Sequence, residues 1–151
     1  MTMTDAELLE RMRTRIPPTA ALLGQELLAL DSAAGTVEMK FFGRPDFCNP
    51  MGNVQGGFLA AMLDDAAAFA VIVKSGRRIV VPTIEFKVSF LAPARMNRDI
   101  FASGRCLKFG RTIAFAESDL KDPDGRLIAR LSTSCVPTPL EGEGLMLEKT
   151  A

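Results

Sequence analysis

Val54-Gln55-Gly56-Gly57-Phe58-Leu59-Ala60-Ala61-Met62-Leu63-Asp64-Asp65-Ala66-Ala67-Ala68-Phe69-Ala70-Val71-Ile72-Val73-Lys74 is the stretch on which the reading of the fold turns. It holds no proline, and its alanines and leucines favour helix. Nearly every side of that helix is apolar, so it is expected to be buried all round. At about twenty residues it approaches the length of a membrane span, but Asp64 and Asp65 at its centre argue against one.

Working outward, the flanks read as β. Glu26 to Asp31 and Thr36 to Phe42 form two strands about a turn at Ser32 to Gly35; in the second, Val37, Met39 and Phe41 alternate with polar residues. Gly43 to Asn53 is rich in Gly, Pro, Asp and Asn and reads as a loop. After the helix, strands are predicted over 79–90, 99–108, 111–120 and 126–136, with Asp122-Pro123-Asp124-Gly125 the strongest turn signal. Ahead of them, Asp5 to Arg15 is a short capped helix, interrupted by Pro17-Pro18, and Thr19 to Leu23 adds a turn ended by Gly24. Pro137 to Ala151 has little periodicity and reads as a loose tail. Hairpin-length connections imply an antiparallel sheet. A sheet wrapped around one apolar helix explains why that helix lacks a polar face.

The 151 residues suit one domain. Eighteen basic residues balance eighteen acidic ones, so no long-range field draws in nucleic acid or an anionic membrane. The first residues lack the apolar stretch of a signal peptide, and cytoplasm is the expected compartment. Cys48, Cys106 and Cys135 are an odd, widely spaced set, unlike a disulfide framework or a zinc site. Cys106 and Cys135 sit in apolar runs and read as core thiols, while Cys48 is in the loop; a nucleophilic cysteine usually needs a base beside it. The chain has no histidine, which removes Ser-His-Asp and Cys-His catalysis, histidine-ligated metals and histidine bases. Any acid–base work falls to Asp, Glu, Lys or a thiol.

Gln55-Gly56-Gly57 lies where loop becomes helix. Glycines there leave backbone N–H groups approachable, and the helix dipole adds partial positive charge, a combination suited to an oxyanion. The same glycines could instead serve close packing of helix on sheet. Helical spacing puts Asp64 on a stripe of small residues with Gly57, Ala60, Ala61, Ala67, Ala68 and Val71, which leaves room for a ligand or a partner chain. Asp65 shares its face with Phe58, Met62, Phe69 and Ile72 and is expected to pair with a backbone or basic group. Asp64 is therefore the candidate base or nucleophile, with a structural hydrogen bond as the other reading.

Asn49-Pro50-Met51-Gly52-Asn53-Val54-Gln55-Gly56-Gly57 followed by Asp64 resembles the signature of hotdog thioesterases of the phenylacetate-degradation (PaaI-like) branch. The likeness continues through Thr83 to Ala94 and Lys108-Phe109-Gly110-Arg111-Thr112, and spans roughly Leu23 to Val136. The resemblance implies an α+β hotdog fold, with an N-terminal helical segment over 1–22, the hotdog domain over 23–137 and a tail over 138–151. It implies hydrolysis of acyl-CoA, with Asp64 as base or nucleophile and Gly56 N–H polarising the thioester carbonyl. Asn49 matches an asparagine that positions the water or the carboxylate, and Thr83 a Ser or Thr from the facing subunit. Arg111, Lys108 and Arg78 become candidates for the coenzyme A phosphates. Gln55 stands where the family usually has histidine; it can donate and accept, but it cannot carry a proton. Gln55, Gly57, Ala60, Ala61, Ala68 and Phe58 are expected around a medium-chain or aryl acyl group, in a homodimer or dimer of dimers without cofactor or metal. A hotdog protein that binds acyl-CoA without turnover is the alternative. A hydratase is disfavoured because that chemistry generally uses histidine.

Overall fold

The computed structural model describes residues 3–142 and 144–148. Helix α1, Asp5–Thr14, begins in a reciprocal capping box between Thr4 and Glu7. A two-residue strand β1, Arg15–Ile16, leads to α2, Pro18–Leu23, which stops at Gly24 in the left-handed region, φ 67°. Strands β2, Glu26–Asp31, and β3, Thr36–Phe42, form the expected hairpin. The apolar stretch is α3, Gly56–Ser75, closed by Gly76 at φ 60°. The predicted strand over 79–90 is two: β4, Ile79–Val80, and β5, Thr83–Phe90. Pro82 separates them, having no N–H to give to a ladder. Then come β6, Asp99–Phe109, β7, Ala114–Lys121, and β8, Leu127–Cys135. The β6–β7 turn is wider than predicted, with Gly110 N donating to Ile113 O at 3.0 Å.

The tail is not loose. Strand β9, Thr138–Pro139, pairs with β4, and β10, Leu147–Glu148, pairs with β1. Leu140 N also donates to Arg78 O at 3.1 Å. Backbone pairing of this kind leaves no periodic signal in so short a segment. Glu143 and residues 149–151 of the predicted tail lie outside the described residues.

Six strands make one antiparallel sheet in the order β2-β3-β6-β7-β8-β5, and α3 lies across its inner face. Two contacts bring α3 unusually close. A Cβ built on Gly104 of β6 would meet Ala66 O at 2.1 Å, so only glycine lets strand and helix backbones approach there. Ser118 of β7, fully buried, donates Oγ to Leu63 O at 2.7 Å. Both anchor the helical turn that carries Asp64 and Asp65.

α3 has the length and apolarity of a membrane span, yet its role here is that of a core helix. Leu59, Leu63, Ala66, Ala70 and Val73 are buried beneath it. It is not buried all round, as the sequence led one to expect. Gly57 is exposed, and Ala60, Ala61, Asp64, Asp65, Ala68 and Ile72 are only half-buried. One chain's sheet covers one side of its helix, so a stripe of small residues and two carboxylates stays open. Beside that stripe, edge strand β5 presents Ile84, Phe86 and Phe90 to solvent, with Leu91 just beyond. An apolar edge with one unpaired side favours pairing with a further strand.

Candidate active site

The start of α3 is open by construction. Gln55 is its N-cap residue but gives no side-chain cap bond. Gly56 and Gly57 are the first two helical positions, where no intrahelical acceptor exists. Among the described residues neither N–H has an acceptor. The two glycines differ in their surroundings. A Cβ on Gly57 would meet nothing within 4 Å, whereas one on Gly56 would meet the Phe90 ring at 3.0 Å. Gly56 thus serves both readings left open by the sequence: it has a bare N–H, and it makes room for a packed side chain.

Asn49 is held by its own loop. Its Oδ1 accepts from Met51 N at 3.0 Å and Asn53 N at 3.3 Å, and its backbone N donates to Asn53 O at 2.8 Å. Only its amide NH₂ is left to meet a substrate or carboxylate.

Asp64 lies two turns into α3, partly buried, and Oδ1 accepts from Thr83 Oγ1 at 3.2 Å. Burial raises its pKa, and the Thr83 bond pulls the other way. A cleft joins Asp64 and Thr83 to Ala67, Ala68, Val81, Thr133 and Cys135. One chain brings Thr83 to Asp64, so that contact needs no facing subunit. Cys135, at the floor, is no nucleophile: burial chiefly, with Cys106 and Asp64 nearby, pushes its thiol up to about 11.

Asp65 departs from expectation. Among the described residues it has no side-chain hydrogen bond, and its buried Oδ2 is without a partner. Burial, aided by the neighbouring Asp64 charge, raises its pKa to about 7. The basic or backbone partner foreseen for it does not reach it. The residue before it, on the stripe of small side chains, has the hydroxyl.

Gly56 and Asp64 are eight positions apart on one helix, about 12 Å along the axis at 1.5 Å per residue. One thioester carbonyl cannot touch both on the same chain. The candidate residues therefore fall into two groups: Asn49, Gln55 and Gly56 at the helix start, and Asp64 with Thr83 at its middle.

Of the phosphate candidates, Lys108 and Arg111 flank the β6–β7 turn, exposed and without an ion pair among the described residues. Sequence reasoning missed Arg77, whose guanidinium lies 5.8 Å from the Phe109 ring centroid and so joins them. Arg78 is exposed, and its backbone is tied to Leu140. Among the described residues no hydrogen bond or ion pair brings its side chain to the turn.

Residues 51–129 match the family model of the thioesterase superfamily. The chain belongs to the thioesterase superfamily. Acyl-coenzyme A thioesterase 13 of Homo sapiens is 27% identical over 131 residues, covering 86% of this chain and 91% of that protein. A phenylacetic acid degradation-related protein of Ralstonia eutropha JMP134 is 32% identical, with a TM-score of 0.78, covering 87% of this chain and 97% of that one. The PaaI protein of E. coli shares the fold: TM-score 0.71 at 16% identity, over 78% of this chain and 91% of that one. This thioesterase has the hotdog fold expected from the sequence, and its PaaI-like resemblance stands. As a superfamily member it is a thioester hydrolase.

Proposed function

We propose that the chain hydrolyses a medium-chain or aryl acyl-CoA to free acid and coenzyme A, at two equivalent sites shared across a homodimer. The observation that carries this reading is the separation of Asp64 from Gly56, about 12 Å along one helix. A two-fold partner that sets its mid-helix carboxylate beside this chain's helix start makes both half-sites whole. The open stripe on α3 and the apolar edge of β5 are the surfaces such a partner would cover.

In that site the carbonyl oxygen sits against Gly56 N–H and the helix dipole. The Asn49 amide NH₂ orients the water or the carboxylate. Asp64 of the partner subunit takes a proton from water as the oxygen attacks the carbonyl carbon, or attacks that carbon itself to form a mixed anhydride that water hydrolyses to the free acid and the carboxylate once the thiolate has left. The tetrahedral oxyanion then collapses, the C–S bond breaks, and the thiolate leaves to be protonated. Thr83 holds the carboxylate in aim. Gln55 offers a donor near the carbonyl without a titrating proton. Arg77, Lys108 and Arg111 offer charge to the phosphates about 16 Å further along α3 from Asp64.

Complementation tests the shared site. Asp64→Ala and Gly56→Pro proteins, each inactive alone, are mixed and allowed to exchange subunits. A hybrid dimer holds one site with both wild-type residues, so thiol release should return to up to about half the wild-type rate per hybrid. Mixtures that stay inactive after verified exchange would remove the shared site. If wild type and Asp64→Ala release thiol equally slowly from short, medium, long and aryl acyl-CoAs, the chain binds acyl groups without turnover, a reading that Gln55 favours.

A further inference from the structure

Phe90, the last residue of β5, lies on the helix-bearing face of the sheet, in register with the fully buried Ala129 of β8. Its ring tip reaches the start of α3, where Cζ, Cε1 and Cε2 would lie 3.0, 3.3 and 3.5 Å from a Cβ on Gly56. Although it packs against Gly56, Phe90 remains 55% exposed. One end of the ring is held by the helix start while the rest stands free on the open side. Phe86 and Val88 share its face of the strand, so an apolar ladder runs along β5 and ends at the bare N–H of Gly56. On the loop side Gln55, the N-cap residue, precedes that N–H.

We infer that Phe90 is the residue that selects among acyl groups, by walling the space next to the thioester carbonyl against bulk on the first acyl carbon. The inference rests on the reading above, in which Gly56 N–H holds that carbonyl. The polar arm of coenzyme A runs toward the basic turn of the chain that supplies Asp64. The acyl group is then left against the chain that supplies Gly56, and its first carbons meet the Phe90 ring. The ring tip abuts the backbone at Gly56, which has no flexible side chain to give way, so the ring cannot retreat toward α3. Groups that leave the carbonyl through a slim methylene, such as hexanoyl or phenylacetyl, pass the ring. Groups with a ring or branch directly on the carbonyl, such as benzoyl or isobutyryl, collide with it.

The test compares wild type, Phe90→Leu and Phe90→Ala with hexanoyl-, phenylacetyl-, isobutyryl- and benzoyl-CoA. The kcat/KM ratio of benzoyl to phenylacetyl should rise about tenfold or more in Phe90→Ala, within the range one missing group gives in an apolar pocket. Phe90→Leu, the milder change, should fall between. Inhibition by free coenzyme A, which does not reach the ring, should stay unchanged and reports an intact site. Ratios constant within about twofold in variants that keep that inhibition overturn the inference while leaving thioester hydrolysis untouched. Binding of the inert thioethers benzyl-CoA and 2-phenylethyl-CoA gives the same comparison without turnover. A wild type that hydrolyses none of the four thioesters sinks the hydrolytic reading alone, and the binding ratio still decides the role of Phe90.

Discussion

Thr83 Oγ1 donates to Asp64 Oδ1 at 3.2 Å, linking the first residue of β5 to the middle of α3. It is the one hydrogen bond of that carboxylate among the described residues. Removing the carboxylate should stop the chemistry: Asp64→Asn is expected to lower kcat by a hundredfold or more with KM little changed, the range for a lost general base. Loss confined to KM would mean that Asp64 only binds.

The same bond sets the pH profile. Burial raises the Asp64 pKa and Thr83 lowers it, the first effect being larger. The base must be ionised, so activity falls on acidification at a pH above that of an ordinary aspartate. Thr83→Ala removes the lowering partner and should move this acid limb to higher pH. A limb that stays put while kcat drops would assign Thr83 to water rather than to the carboxylate.

Asp65 predicts a stability effect of definite sign. Its carboxyl ionises near pH 7 when folded and near 3.8 otherwise. Below pH 3.8 it is protonated in both states and costs nothing. As the pH rises from 3.8 to about 7 the unfolded chain gives up that proton while the folded chain keeps it on a buried, unpartnered group, so stability falls across this window and levels off above it. The loss is on the order of 4 kcal/mol once complete. Asp65→Asn should therefore melt above wild type at pH 8 and close to it near pH 4. An equal difference at both values would mean a packing effect.

Gly56 can be dissected because its two roles are separable. Gly56→Ala adds the Cβ that meets Phe90 but keeps the N–H. Gly56→Pro adds it and removes the N–H, at a first helical position where proline is well tolerated. Gln55, at φ −64° and ψ 143°, already has the conformation that precedes a proline. Proline should thus cost a further hundredfold in kcat beyond alanine, about the worth of one oxyanion donor. Equal activities would leave Gly56 a packing residue only.

Charge at the β6–β7 turn should act on one half of the substrate. Changing Arg77, Lys108 and Arg111 together to Ala is expected to raise KM for acyl-CoA about tenfold, each exposed contact being worth little alone. KM for the matching acyl-pantetheine, which lacks the nucleotide, should not move. A parallel rise for both would mean a disturbed fold.

Much of this was legible beforehand because it rests on periodicity. The alternation of Val37, Met39 and Phe41, and the unbroken apolar run of α3, named strand and helix within a residue or two. What escaped depends on contacts distant in sequence. Whether Asp64 or Asp65 meets a hydroxyl depends on where β5 begins, and Pro82 sets that point. The Arg77–Phe109 contact spans the turn after α3 and the end of β6, and no spacing rule links them. The pairing of β9 and β10 has no side-chain pattern to betray it.

Gly104 stands at the back of the molecule's chemistry, on a strand that contributes nothing to the cleft. Because the carbonyl of Ala66 fills the space a side chain would need, any replacement there displaces the helix at the turn bearing the carboxylates. An inherited change at position 104 would thus look like an active-site lesion, with the fold largely intact and no altered residue within reach of the substrate.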